Sequence, residues 1–404
     1  MDSLVPAFVY AGARSVFGRY GSALAHVRPD DLAAAVITGL LSKVPGLDPA
    51  EVDDVVLGNA NGAGEENRNV ARMAALLAGM PVSVPGTTVN RLCGSGLDAV
   101  MAASRMIEVG DADAVVAGGV ESMSRAPWVV PKTTRPFPAG DLTAVSTTLG
   151  WRLVNPRMPA EWTASLGECN EQLAERFGIA RERQDEFAAR SHARATEAWA
   201  HGFYDDLVVP VPGVELAVDE AVRAGSTPEV LATLRPAFRA SGTITAGNAS
   251  PLSDGASALL LGSEALAARI GQDPLARVAG RAAFALAPQD FGYAPVEAAN
   301  RALRRAGVSW AEVGAVELNE AFAVQSLACV DAWGIDPEIV NRHGGAIALG
   351  HPLGASGGRI LATLVASLRE SGQRWGVAAI CIGVGQGLAV VVENLAGPEP
   401  FTRL

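Results

Sequence analysis

Two thiols and one imidazole stand out in this chain because glycine strips the backbone bare beside each. Cys93 heads Cys93-Gly94-Ser95-Gly96, His351 stands in Gly350-His351-Pro352-Leu353-Gly354, and Cys381 opens Cys381-Ile382-Gly383-Val384-Gly385-Gln386-Gly387. A lone cysteine is more often a small buried hydrophobe than a reactive group. Cys93 departs from that pattern. It follows an extended run and begins a helical one, so a helix N-terminus would favour its thiolate, and backbone N–H groups at the turn would receive an oxyanion. His351 is also at a helix start, which disfavours the imidazolium and suits a neutral base. Cys381 alone reads as core. Together the three suit a carbon–carbon bond made or broken through a thioester: one thiol carries the acyl group and the other moves a proton to or from carbon.

The remaining candidates carry less. His192 and His201 lie on a run of alternating charges and read as solvated; His26 lies in a loop. Cys329 sits in an apolar helical stretch and reads as core, and Cys169 is weighed between core and pocket lining. The four cysteines form no CxxC pair, so no zinc site is expected.

The elements that must hold these groups alternate as strand and helix, the signal of an α/β fold with parallel strands. A helical run, Pro29 to Leu41, precedes the apolar run Asp54 to Gly58. Gly86 to Asn90 then leads into Cys93, and Leu97, Val100, Met101, Ser104 and Ile107 repeat at helical spacing up to Gly110. A buried strand from Asp113 to Ala117 follows. The C-terminal part repeats this order: Glu312 to Ala321 echoes Glu51 to Ala60, a helix runs from His351 to Gly372, and the strands Val377–Ile382 and Leu388–Val392 close it. Val55 lies 38 residues before Cys93, and Val316 lies 35 before His351. This is an internal duplication with a reactive residue at a corresponding helix start in each half. Between the halves, Arg125 to Gly247 reads as an inserted lobe, with helices at Leu166–Phe177 and Arg181–His201.

The chain has 404 residues, more than one hydrophobic core of ~250–300 residues supports, so at least two core units are expected. Asp and Glu number 43 against 32 Lys and Arg, a net charge of −11, which argues against a nucleic-acid surface as the main function. An apolar fraction of 49% excludes a disordered chain. No basic leader with an apolar run opens the chain, and no apolar stretch reaches the ~18 residues of a membrane span. The expected setting is the cytoplasm, with no membrane partner and reduced thiols.

The motifs Asn90–Gly96, Gly118-Gly119-Val120-Glu121-Ser122-Met123-Ser124, Asn319-Glu320-Ala321-Phe322, Gly344–Gly354 and Cys381–Gly387 resemble those of the thiolases, the acetyl-CoA acyltransferases, in that family's order and over nearly the whole chain. Within the family, Asn67–Met73, Trp151–Pro156 and Val384 look most like the 3-oxoadipyl-CoA thiolases. The resemblance implies a thiolase fold: two duplicated α/β halves in a five-layered α-β-α-β-α arrangement, 1–124 with 248–274 and 275–404, and an inserted loop domain, 125–247, that binds coenzyme A. It implies that Cys93 takes the acyl group, His351 accepts its proton, and Cys381 is the acid and base at carbon. One oxyanion hole would use His351 and a water held by Asn319; the other would use the backbone N–H groups of Cys93 and Gly383. Coenzyme A would lie along Arg223, Phe238, Ala246 and Ser250, with Leu166, Phe291 and Phe322 around the acyl end. Acyl-CoA and CoA are then substrates, with no metal or redox cofactor, and the chain forms a homodimer or homotetramer.

Five positions depart from the family pattern. His343 replaces an asparagine, Pro251 replaces a glycine, and Ser165, Cys169 and Phe291 alter segments at the pantetheine tunnel and acyl pocket. Phe291 and Tyr293 are expected to shorten the pocket, and His343 to donate to a carboxylate at its end. Other readings stay open beside the thiolase: a condensing synthase of the same fold, a hydrolytic or retro-Claisen variant, and a non-catalytic acyl-CoA-binding relative. Retention of both Cys93 and His351 weighs against the last.

Overall fold

The computed structural model describes residues 5–395. Its strands are β1 (Phe8–Arg14), β2 (Gly18–Arg19), β3 (Asp54–Gly58), β4 (Gly86–Val89), β5 (Ala114–Ser122), β6 (Trp128–Val129), β7 (Val145–Ser146), β8 (Ser253–Gly262), β9 (Ala276–Ala285), β10 (Val313–Leu318), β11 (Trp375–Ile382) and β12 (Gln386–Asn394). Its α-helices are α1 (Pro29–Ser42), α2 (Val70–Leu77), α3 (Ser95–Glu108), α4 (Leu166–Phe177), α5 (Arg181–Ala200), α6 (Pro228–Ala232), α7 (Glu264–Ile270), α8 (Ala294–Ala306), α9 (Ala323–Trp333), α10 (Ala346–Leu349) and α11 (Leu353–Ser371).

Alternation along the strands sets the layers. Val56, Val115 and Ala117 from one half, and Ala378, Ile380 and Ile382 from the other, share a core with Leu97 and Val100 of α3 and Ile360 and Leu361 of α11. The intervening residues face outward: Val55, Leu57 and Val116 pack with α1 and α2, and Val377, Ala379 and Val391 pack with α8 and α9. Strands covered on both faces need apolar residues at every position, which is why these runs are continuous rather than alternating. The result is helix, sheet, helix, sheet, helix, with α3 and α11 in the middle.

Two features differ from the sequence reading. The half-sheets are joined at one edge: β10-β11-β12-β9-β1-β8-β5-β3-β4 is one hydrogen-bonded order, with β2 beside β8, and only Phe8↔Arg277 and Val9↔Ala276 bridge β1 to β9. The expected parallel arrangement holds only for β3–β4, β3–β5 and β10–β11. The other pairs are antiparallel. For β11–β12 the reason is local, since Gly383-Val384-Gly385 is far too short for a parallel crossover.

The middle helices meet backbone to backbone. A Cβ added to Gly96 would stand 2.4 Å from the Gly354 oxygen, and one added to Gly357 would stand 1.9 Å from the Leu97 nitrogen. Only glycine permits this approach, and it brings the turns before α3 and α11 together.

The 125–247 segment contributes no strand to the large sheet; β6 and β7 pair only with each other. A buried ion pair clamps it to β1. Arg14 donates to both carboxylate oxygens of Asp219 at 2.7 and 2.8 Å, with its guanidinium stacked 4.7 Å from the Tyr204 ring centre. Removing one partner of such a pair strands a buried charge, at a cost of ~3–5 kcal/mol.

Candidate active site

Cys93 stands in a short 3-10 turn, Leu92–Gly94, two residues ahead of α3 rather than on it. Leu92 takes φ of +47°, a left-handed conformation unusual for a leucine. Three bonds hold it there. Asn90 Oδ1 accepts from the Leu92 N–H at 2.9 Å, Ser95 Oγ accepts from the Arg91 N–H at 2.9 Å, and the same hydroxyl donates to the Leu92 carbonyl at 2.6 Å. The thiol is thus aimed by a strained, fully braced elbow.

His351 stands two residues ahead of α11 and is 5% exposed. Its backbone N–H donates to Ser253 Oγ at 3.1 Å, and that hydroxyl donates to the Pro251 carbonyl at 2.9 Å. Its ring Nδ1 lies 2.6 Å from Ser356 Oγ, whose hydroxyl has the Pro352 carbonyl as acceptor at 3.1 Å. Ser356 therefore accepts from the ring. This bonding assigns the proton to Nδ1 and leaves Nε2 as the basic nitrogen. Asn319, wholly buried, sets Nδ2 at 3.4 Å from Nδ1 and 3.5 Å from Nε2. Its Oδ1 accepts from Arg359 at 3.3 Å, which turns the amide N–H groups toward the imidazole. Arg359 is in turn paired with Glu317 at 3.3 Å, both buried. Burial, and secondly the Arg359 charge, hold His351 down at about 3, so the imidazole is neutral.

Cys381 is the next-to-last residue of β11 and is 1% exposed. Burial pushes its thiol well up, and the nearby Cys93 raises it further. The Gly383 N–H, in the turn after β11, hydrogen-bonds Cys93. The Cys93 thiol nevertheless does not follow the expectation of a lowered pKa. Burial raises it to about 11 against the N–H groups of Gly383 and of Cys93 itself, and the Glu121 carboxyl adds to the rise. Desolvation of a thiolate outweighs what one helix turn supplies. Glu121 is itself buried, accepting from the N–H groups of Ala60 and Gly354 at 2.9 Å. The resting arrangement is therefore two neutral thiols and a neutral imidazole.

Around this centre, Leu92 and Leu166 flank the open face of Gly383. Phe291, buried, shares a cluster with Cys381, Phe322 and Ile347. Phe238 lays its ring on the bare backbone of Gly167 and meets Phe322 edge-on at 6.3 Å. Ser250 donates from both its N–H and its Oγ to the Ala321 carbonyl, at 3.0 and 3.1 Å. Arg223 and Ala246 stand exposed on the lobe.

Two expectations change. His343 is directed away from the site: Nε2 bonds Glu370 at 2.7 Å and the ring stacks on Phe203 at 3.4 Å, near the far end of α11, about 25 Å of helix from His351. His192 is buried, not solvated, because the lobe folds back over α5. Its Nδ1 accepts from the Arg223 N–H at 3.2 Å, and burial lowers it to about 4. Tyr293 stacks on Phe177 at 4.8 Å and packs, partly buried, against the cluster that holds Phe291 and Cys381. Ser165 caps α4, its Oγ accepting from the Glu168 N–H at 3.2 Å. Cys329 is core as expected, and Cys169 is buried with Sγ 3.8 Å from the Ala164 carbonyl.

Residues 7–265 match the family model described as Thiolase, N-terminal domain, and residues 272–394 the one described as Thiolase, C-terminal domain. The chain belongs to the thiolase family and is an acyltransferase of that type. It is 49% identical over 399 residues to a protein of Escherichia coli named beta-ketoadipyl-CoA thiolase, covering 96% of this chain and 99% of that one. It is equally identical, with the same coverage, to a protein of Escherichia coli strain K12 named 3-oxoadipyl-CoA/3-oxo-5,6-dehydrosuberyl-CoA thiolase. Among solved structures, the Bacillus anthracis acetyl-CoA acetyltransferase is similar with a TM-score of 0.91 and 38% identity, covering 98% of this chain and 100% of that one. Among the described residues, no helix is long and apolar enough to cross a membrane, and no three His, Cys, Asp or Glu side chains gather to hold a metal ion.

Proposed function

We propose that this thiolase cleaves 3-oxoacyl-CoA esters with coenzyme A, with 3-oxoadipyl-CoA as the preferred ester, through an acyl group on Cys93. The observation that carries the reading is the meeting of a braced Cys93, the Gly383 N–H and the Cys381 thiol in one site.

His351 Nε2 takes the Cys93 proton as sulfur attacks the C3 carbonyl. Because both groups rest neutral, the proton moves as charge appears on the substrate oxygen, not before. His351 and an Asn319-held water serve one oxyanion, and the N–H groups of Cys93 and Gly383 serve the other. The C2–C3 bond breaks, its electron pair goes to C2, and Cys381 supplies the proton that yields acetyl-CoA. A second CoA thiol gives its proton to the Cys381 thiolate and attacks acyl-Cys93. Its acyl-CoA product leaves as Cys93 recovers the proton from His351. Arg223, Phe238, Ala246 and Ser250 hold CoA, and Leu166, Phe291 and Phe322 line the acyl end. The resident chemistry needs no metal.

The reading includes three parts of the chain: 1–124 with 248–274, the lobe 125–247, and 275–404. It also includes a cytoplasmic homo-oligomer, dimer or tetramer. The position of β4 at the sheet edge, leading directly into the Cys93 elbow, supports the oligomer.

The test is thiolysis by free CoA across acetoacetyl-, 3-oxoadipyl- and 3-oxodecanoyl-CoA, with the CoA products resolved. Cleavage to acetyl-CoA plus the shortened ester, fastest on 3-oxoadipyl-CoA, is expected. Hydrolysis to a free acid, or no cleavage of any ester, would contradict the reading.

A further inference from the structure

An acyl chain that ends in a carboxylate needs a cation where that end stops, and His343, bonded to Glu370, is not available for it. We propose that Arg152 reads the distal carboxylate of the acyl chain and so sets the enzyme's preference for dicarboxylic 3-oxoacyl-CoA esters; this rests on the substrate reading above.

Three observations carry the assignment. First, the guanidinium of Arg152 has no carboxylate partner among the described residues. Its contacts are two long bonds to neutral acceptors, Nη2 to Asn61 Oδ1 at 3.3 Å and Nη1 to the Thr147 carbonyl at 3.4 Å. A guanidinium has five N–H donors in a planar fork that matches a carboxylate, so most of its capacity is unused.

Second, both acceptors are fixed. Asn61 and Thr147 are buried, and Asn61 Nδ2 donates to Thr147 Oγ1 at 2.9 Å and to its carbonyl at 3.2 Å. Thr147 Oγ1 donates in turn to the Pro127 carbonyl at 2.6 Å. A pre-formed seat for the guanidinium lowers the side-chain entropy lost on binding.

Third, the seat is tied to both walls of the site. Asn61 follows Ala60, whose carbonyl accepts from Asn90 of the Cys93 elbow at 3.0 Å, and the Asn61 N–H bonds Glu121, the carboxyl that acts on the Cys93 thiol. On the other side, Trp151 Nε1 donates to the Ala164 carbonyl at 3.2 Å, just before Leu166 at the open face of Gly383. Leu153, at φ of +50°, turns the backbone immediately after Arg152. Arg152 is exposed and therefore free to meet a ligand.

The experiment compares thiolysis of 3-oxoadipyl-CoA with that of 3-oxohexanoyl-CoA, equal in chain length but lacking the acid, in wild type, Arg152→Met and Arg152→Lys. The wild type should favour the acid. The ratio of kcat/KM between the two esters should fall roughly 10–100-fold in Arg152→Met, the worth of a hydrogen bond to a charged group, mostly through KM. Arg152→Lys should regain part of it. An unchanged ratio in Arg152→Met, or an equal loss on both esters, would overturn the role of Arg152 alone. A wild-type enzyme that cleaves 3-oxohexanoyl-CoA and leaves 3-oxoadipyl-CoA untouched would overturn the substrate reading and the Arg152 role with it.

Discussion

Ser356 Oγ lies 2.6 Å from His351 Nδ1, one turn into the helix that His351 precedes. Nothing else on this ring decides its tautomer so directly: the hydroxyl passes its own proton to the Pro352 carbonyl and must accept from the imidazole. The other ring nitrogen, Nε2, is left as the basic one.

Ser356→Ala should therefore keep the fold and lose orientation of the base. Acylation by acetyl-CoA, followed as single-turnover adduct formation, should slow by roughly 10–100-fold, part of the ~10²–10⁴-fold that a positioned base contributes. A rate within twofold of wild type would show that Asn319 alone orients His351.

Phe291 is predicted to limit the acyl chain. It is buried in the cluster that also holds Cys381 and Phe322, where a methionine would be thinner and more pliable. Phe291→Met should raise kcat/KM for 3-oxodecanoyl-CoA by about 10-fold or more, within the ~10–200-fold that pocket volume discriminates, while acetoacetyl-CoA changes little. A wild-type preference for the decanoyl ester would contradict this outright.

Two neutral buried histidines give the stability a pH dependence of known sign. His192 is lowered to about 4, whereas an unfolded histidine titrates near 6.5. Between these values the unfolded chain binds the extra proton, so stability falls as pH drops through 6.5 and the loss ends below 4. His192→Gln removes that proton uptake. Between pH 7 and pH 5 the wild type should lose about 2 kcal/mol more than the variant in denaturant unfolding. Equal losses would mean that His192 is solvated after all.

Much of this was legible in the sequence, and the exceptions have physical reasons. Helix Leu166–Phe177 was readable to the residue because Ser165 caps it and Gly178, at φ of +62°, ends it. The two glycine-lined turns were readable as a pair because backbone contact between Gly96 and Gly354 demands glycine. The direction of a side chain was not. His343 is eight residues from His351 in sequence, but the single turn of α10 between them sends it toward Glu370. The charge pattern of α5 suggested solvent around His192, and only the fold of the lobe covers it. The Cys93 pKa was misread because the helix N-terminus is visible in sequence and burial is not. The Leu92 elbow, the Ser356 contact and the Arg14–Asp219 clamp depend on long-range or backbone geometry that no local pattern announces.

The measurement that tests the account most directly is the site of the acyl group. Incubation with acetyl-CoA, rapid acid quench and peptide mass mapping should find one acetyl group, on Cys93. It should be absent in Cys93→Ala and present in Cys381→Ala, which nonetheless fails to complete thiolysis. An acetyl adduct that persists in Cys93→Ala, or one carried by Cys381 in the wild type, would contradict the division of labour between the two thiols.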